Sequence, residues 1–228
     1  MNTTNILLER PEVNSSNKGL TLLLIGSTGA VGQQVLRLAL GDARIRQVVA
    51  LTRRPLSNHP KLLNAVVDFT NLPPDAPWWQ VDSVICTLGT TIKAARSQSA
   101  FAAIDRDLPI QIGRLARDAG ATRYALNSSL GASQDGNFYL RTKAEAEQGI
   151  GELKYPVYTI VRPSLIDATR ADSRPAERVG LAVARLLRPL IPKRYRAVRA
   201  EAIAQALIDG VIREVAGKRV IESESLQN

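Results

Sequence analysis

Short apolar runs alternate with longer stretches of helical spacing along most of this chain. Leu20-Thr21-Leu22-Leu23-Leu24-Ile25 is almost wholly apolar, has the length of a buried strand, and is stopped by Gly26. Behind it, Val31, Val35, Leu36, Leu38 and Leu40 recur at the spacing of a helix with one packed face. Further strands are predicted at Val48–Leu51, Ala65–Val67, Val81–Cys86, Tyr124–Leu126 and Val157–Val161. Between them, Phe101, Ile104, Leu108, Ile112 and Leu115 mark a helix over 100–119, and an Ala- and Glu-rich helix follows from Thr142. Mostly apolar strands separated by amphipathic helices predict a Rossmann-type α/β fold. Its doubly wound parallel sheet would carry helices on both faces. Residues 1–18 read as a flexible tail, and 19–228 as a single domain with a small C-terminal substrate lobe at about 164–200.

Composition narrows the function classes. The 228 residues are 45% apolar and 22% charged, enough for a packed core and close to an ordinary globular chain. No run approaches the ~18 apolar residues of a membrane helix. Glu9, Arg10 and Pro11 follow Ile6-Leu7-Leu8 too closely for a secretory signal. One cysteine, Cys86, leaves no internal disulfide, and with one histidine, His59, the chain lacks the ligand clusters of zinc sites. Cys86 reads as a packing residue and His59 as a loop residue, while Trp78-Trp79 reads as a loop anchor on the sheet. The expectation is a soluble, cytoplasmic, metal-free domain with no membrane partner.

Of the net charge of +9, a large excess falls between residues 162 and 199, which hold ten Lys and Arg against three Asp and Glu. Its arginines sit in a Leu- and Ala-rich helical pattern without interleaved aromatics or helix-turn-helix spacing. Nucleic acid is therefore not the expected partner; a solvated face near an anionic cofactor is. Leu181 to Leu190 reads either as a helix over the mouth of the site or as a dimer face, and a protein partner is an expectation not tied to this stretch.

The chemistry gathers at two points. Gly26-Ser27-Thr28-Gly29-Ala30-Val31-Gly32 lies between the first strand and the first helix. Glycines there turn the chain, admit a pyrophosphate to the backbone, and bring helix against strand. The helix N-terminus supplies amide donors. The next strand ends in Arg53-Arg54, where an NAD-specific protein would carry an acidic residue; two guanidiniums suit a 2′-phosphate, so NADP(H) is preferred over NAD(H). Asp68-Phe69 closes the third strand, with Asp68 either accepting from the adenine amino group or holding a turn. Downstream, Tyr139 and Lys143 are four residues apart and share a helix face. A phenol beside an ammonium is suited to proton transfer. Ser129, at the end of the fifth strand, can polarise a substrate carbonyl.

These features resemble the short-chain dehydrogenase/reductase superfamily. Cys86-Thr87-Leu88-Gly89-Thr90-Thr91, Ile104-Asp105-Arg106-Asp107, Ser128-Ser129 with Gly131-Ala132, and Ser173-Arg174-Pro175 are similar to the atypical branch of Tat-interacting, NADPH-binding oxidoreductase-like proteins. The resemblance spans nearly all of residues 20–215. It implies Tyr139 as proton donor, Lys143 on the nicotinamide ribose, and Leu88, Gly89, Arg162 and Pro163 beside the cofactor. It departs from the superfamily pattern in the ten-residue step from Ser129 to Tyr139, and in Asp105, where an Asn is common. The expected function is an NADP(H)-dependent oxidoreductase acting on a carbonyl or alcohol substrate. The alternative is a non-catalytic NADP(H)-binding regulator. Only 85 residues follow Lys143, which argues against a nucleotide-sugar epimerase.

Overall fold

The computed structural model describes residues 19–167 and 192–227. Strands β1 (Leu20–Ile25), β2 (Ile45–Thr52), β3 (Leu62–Val66), β4 (Ser83–Cys86), β5 (Arg123–Asn127), β6 (Val157–Arg162) and β9 (Gly217–Glu222) form one sheet in the order β3-β2-β1-β4-β5-β6-β9. Every adjacent pair is parallel. Two short strands, β7 (Ile166–Asp167) and β8 (Val198–Arg199), pair apart from it.

Side chains alternate across the strands, so each buried strand feeds two cores. Leu23, Ile25, Val84, Cys86, Tyr124 and Leu126 face α4 (Leu108–Asp118) and α5 (Phe138–Glu152). Leu22, Leu24, Ile85, Ala125 and Val161 face α1 (Ala30–Gly41) and α6 (Ala200–Ile212). The short helices α2 (Ile92–Ala95) and α3 (Gln98–Ala102) precede α4, and a π-turn at Ala103–Asp107 joins α3 to α4.

The doubly wound parallel sheet is as expected. Several boundaries move: β3 begins at Leu62 and ends before Val67, β4 begins at Ser83, and α5 begins at Phe138, four residues before Thr142. Asn137 explains the last shift, since its side chain accepts from Leu140 N and caps the helix. The loop-anchor reading of the tryptophans fits Trp79, which is buried and donates from Nε1 to Pro73 O at 2.8 Å. The tail at 1–18, Ser173-Arg174-Pro175 and the 181–190 helix lie outside the described residues. The proposed lobe at 164–200 is described only at its two ends.

Candidate active site

Strand order reverses between β1 and β4, and parallel sheets bind ligands in the crevice beyond such a switch point. The glycine loop occupies that position. Gly26 has φ +84°, and a Cβ there would stand 2.7 Å from the Thr87 backbone, so β4 closes directly over the turn. Thr87 Oγ1 fastens this approach by donating to Ile25 O at 2.9 Å and Gly26 O at 3.1 Å. At Gly32 a Cβ would lie 1.9 Å from Gly26 O, so α1 packs on the loop only because that position is bare. Gly29 differs: its nearest non-neighbouring atom would be 3.5 Å from a Cβ. It begins α1 without a side-chain cap, leaving first-turn N–H groups open to an anion.

A cleft of about 630 Å³ opens above this loop. Gly26, Ser27, Thr28, Gly29, Arg53, Asp68, Phe69, Leu88 and Gly89 line it, together with Thr90. Ala30, Val31 and Gly32 lie behind the loop in α1 rather than on the wall. Ser27 is buried, yet its Oγ has no hydrogen-bond partner among the described residues. An unpaired hydroxyl there is costly unless something else satisfies it. Asn64 shapes the β2 exit: its side chain donates to Ala50 O and Thr52 Oγ1 and accepts from Leu56 N. The turn so formed leaves Arg53 on the cleft wall, while the exposed Arg54 does not line it. Asp68 accepts from Thr70 N and Thr70 Oγ1, which hold its carboxyl below the usual carboxylate range.

Lys143 sits beyond the cleft, buried, with Nζ 2.6 Å from Asp105 Oδ1. The other oxygen of Asp105 accepts from Thr90 N at 2.9 Å. One buried carboxylate therefore joins the cleft's floor to the lysine of α5. Lys143 Nζ is also 5.9 Å from the centre of the Tyr139 ring, which packs on Phe101 at 5.6 Å. The half-buried Tyr139 hydroxyl makes no hydrogen bond to the described residues. Among the described residues, Ser129 Oγ has only a 3.5 Å contact with Leu130 O. Its neighbour Ser128 is fully engaged, donating to Glu147 Oε1 at 2.5 Å.

Arg162 departs from the cofactor-side expectation. Its guanidinium grips Glu147 through Nε at 2.9 Å and Nη2 at 2.5 Å, and reaches Glu222 through Nη1 at 3.0 Å. Pro163 follows it and does not line the cleft; its carbonyl accepts from Leu130 N. Sequence reasoning missed Asn64, named Thr87 and Thr90 only as part of the family-like stretch, and noted Asp105 without its ion pair. These act through contacts remote in sequence, such as that between Asp105 and Lys143, which stand 38 positions apart. Cys86 is inert packing: burial pushes its thiol up to about 11.

No protein-family profile matches the chain. Protein HTATIP2 of Rattus norvegicus is 33% identical over 178 residues, covering 75% of this chain and 72% of that protein. The mitochondrial protein fmp52 of Emericella nidulans is 35% identical over 169 residues, covering 68% and 71%. This chain belongs to the HTATIP2-like family of atypical short-chain dehydrogenase/reductases. Within that family, fmp52 of Aspergillus niger is 31% identical over 224 residues, covering 89% of this chain and 92% of that protein, and it too is named mitochondrial. Those names overturn the cytoplasmic expectation, which rested on the lack of a membrane run and of a secretory signal and on the single cysteine. Among solved structures, MoeE5 in complex with UDP-glucuronic acid and NAD aligns with a TM-score of 0.67 at 17% identity, over 89% of this chain and 76% of that one. Bordetella bronchiseptica WbmG in complex with NAD aligns at 0.65 and 12% identity, over 93% and 75%. Likeness at that identity establishes the shared fold. Among the described residues, no helix is long and apolar enough to cross a membrane.

Proposed function

We propose that this chain is a nicotinamide-dependent oxidoreductase that uses NADP(H) in preference to NAD(H) and acts on a carbonyl/alcohol pair. The observation that carries this reading is the continuity from the glycine-loop cleft, through Thr90 and Asp105, to Lys143 beside Tyr139. The residues present fit a dinucleotide. The bare Gly29, the uncapped start of α1 and the unpartnered Ser27 hydroxyl suit a pyrophosphate. Arg53 would meet a 2′-phosphate, and Asp68, Phe69, Leu88 and Gly89 would border the adenosine and the turn toward the nicotinamide. The NAD in the MoeE5 and WbmG complexes supports a nicotinamide; the UDP-sugars bound by neighbours are ligands of those proteins.

When bound, the nicotinamide would supply or accept the hydride. Tyr139 would donate a proton to the carbonyl oxygen during reduction and recover it during oxidation. Lys143 has three N–H donors; one serves Asp105, leaving others for ribose hydroxyls. Ser129, with only a weak contact, would orient the carbonyl oxygen. The Asp105 pair also supports a second reading, a non-catalytic NADP(H)-binding regulator, because it holds the ammonium that would otherwise act on Tyr139. Turnover of a carbonyl panel with NADPH separates the two. Tyr139→Phe should lower turnover by ~10²–10⁴ with little change in cofactor affinity. Equal turnover by that variant would remove the mechanism.

A further inference from the structure

Tyr139, Lys143 and Glu147 follow at intervals of four on α5, so one stripe of the helix carries all three. The first two belong to the proposed chemistry, and the role inferred for Glu147 rests on that reading. Glu147 does not line the cleft, yet it is buried and both of its carboxylate oxygens accept hydrogen bonds. Ser128 donates to Oε1, while Arg162 donates to both oxygens in a fork. The same guanidinium reaches Glu222 at the end of β9. Each partner sits where a strand delivers its chain to the site: Ser128 just after β5, immediately before Ser129, and Arg162 as the last residue of β6. Backbone bonds from Ser128 N to Val161 O and from Leu130 N to Pro163 O extend this pairing past the strands' formal ends.

We propose that Glu147 is a positioning residue: through Ser128 and Arg162 it clamps the middle of α5 to the exits of β5 and β6, fixing the Tyr139–Lys143 pair relative to Ser129. A bidentate fork of charge-assisted bonds fixes direction as well as distance. One helical turn separates Glu147 from Lys143, so a tilt at Glu147 moves the lysine with it. A different contact holds the same point of α5 without this geometry: Tyr158 of β6 donates to the Glu147 backbone carbonyl at 3.0 Å and leaves the carboxylate alone.

The test compares Glu147→Gln, Ser128→Ala, Tyr158→Phe and Lys143→Ala, reading NADPH affinity by fluorescence titration and carbonyl reduction at saturating NADPH. The Gln amide keeps an acceptor for Ser128 but presents a donor to one arm of Arg162, which retains Glu222. Misplacing reacting groups by about 1 Å can cost ~10²-fold, so kcat should fall roughly tenfold or more in Glu147→Gln with substrate KM within about threefold. NADPH affinity should weaken in the direction of Lys143→Ala. Ser128→Ala, the milder variant, should shift the same quantities less, and it decides the matter if Glu147→Gln does not fold. Tyr158→Phe weakens the same helix without touching the carboxylate, and should lower the melting temperature while leaving affinity and kcat unchanged. Without detectable turnover, the affinity arm decides alone. Normal NADPH affinity and kcat in Ser128→Ala and folded Glu147→Gln, beside a weakened Lys143→Ala, would overturn the clamp and spare the site. Equal losses in Tyr158→Phe would reduce Glu147 to a structural role and overturn it too. Normal NADPH binding by Lys143→Ala would overturn the site reading itself.

Discussion

Lys143 and Asp105 form a buried ion pair, Nζ to Oδ1 at 2.6 Å, with the lysine side chain 7% exposed and the carboxylate fully enclosed. Removing one partner strands the other charge away from water. Asp105→Ala should therefore lower stability by about 3–5 kcal/mol. Asp105→Asn should lower it by less, because the amide oxygen still accepts from the ammonium. Urea unfolding curves for the two variants check this ordering. Equal stability of Asp105→Ala and the parent protein would mean that water reaches the pair.

Two glycines of the loop after β1 should separate by phenotype. Gly29→Val meets no protein atom closer than 3.5 Å at its Cβ, so the fold should survive while the pyrophosphate is kept away. In Gly32→Ala the new carbon would strike Gly26 O, and stability should fall by about 3 kcal/mol, the upper end for overpacking. Melting curves and calorimetric NADPH titration read both variants. Normal NADPH binding by folded Gly29→Val would place the phosphates elsewhere.

Arg53 lines the cleft and Arg54 does not, so their contributions to cofactor choice should be unequal. NADPH should bind at least about tenfold tighter than NADH, as a charged hydrogen bond of ~1.5–3 kcal/mol allows. Arg53→Ala should erase most of that preference and Arg54→Ala little of it. Calorimetry with both cofactors decides; equal affinities in the parent would exclude the 2′-phosphate role.

Alkaline pH should expose the burial of Cys86. Its thiol rises from 9.0 to about 11 on folding because burial disfavours the thiolate. A group kept neutral in this way contributes fully below the unfolded value, and its contribution declines as pH rises from about 9 toward 11. Over that window roughly 2–3 kcal/mol should be lost. Burial also raises Tyr124, Tyr155 and Tyr158, which add to the loss above pH 10. Cys86→Ala should flatten the stability profile between pH 9 and 10 relative to the parent; parallel profiles would remove the thiol from the account.

The parts legible in the sequence are those whose physics is local. Leu20–Ile25 announces a doubly buried strand because both its faces are apolar, and the glycine loop announces itself by its place after that strand. β9 escaped notice because Gly217–Glu222 is an edge strand with Lys218 and Arg219 exposed to water, so no apolar run marks it. The Tyr139–Lys143 spacing was readable from one helix. Its counter-charge was not, since Asp105 meets Lys143 only after β5 has brought α4 and α5 side by side. The partners of Arg162 were hidden for the same reason: the resemblance put it beside the cofactor, but its bonds to Glu147 and Glu222 depend on α5 and β9 packing against the end of β6.

The π-turn at Ala103–Asp107 makes the spacing of this segment sensitive to length as well as to composition. Such a turn accommodates one residue more than a continuous α-helix would. Deleting a single residue here could restore uninterrupted helical hydrogen bonding and leave the apolar composition almost untouched. The flanking segments would keep their phase, because the wide turn takes up the extra residue, but the side chains within 103–107 would change places around the helix. Asp105 could then no longer face Thr90 and Lys143 together. At this point in the chain, a one-residue deletion would be more disruptive than most substitutions, although neither neighbouring helix would need to unfold.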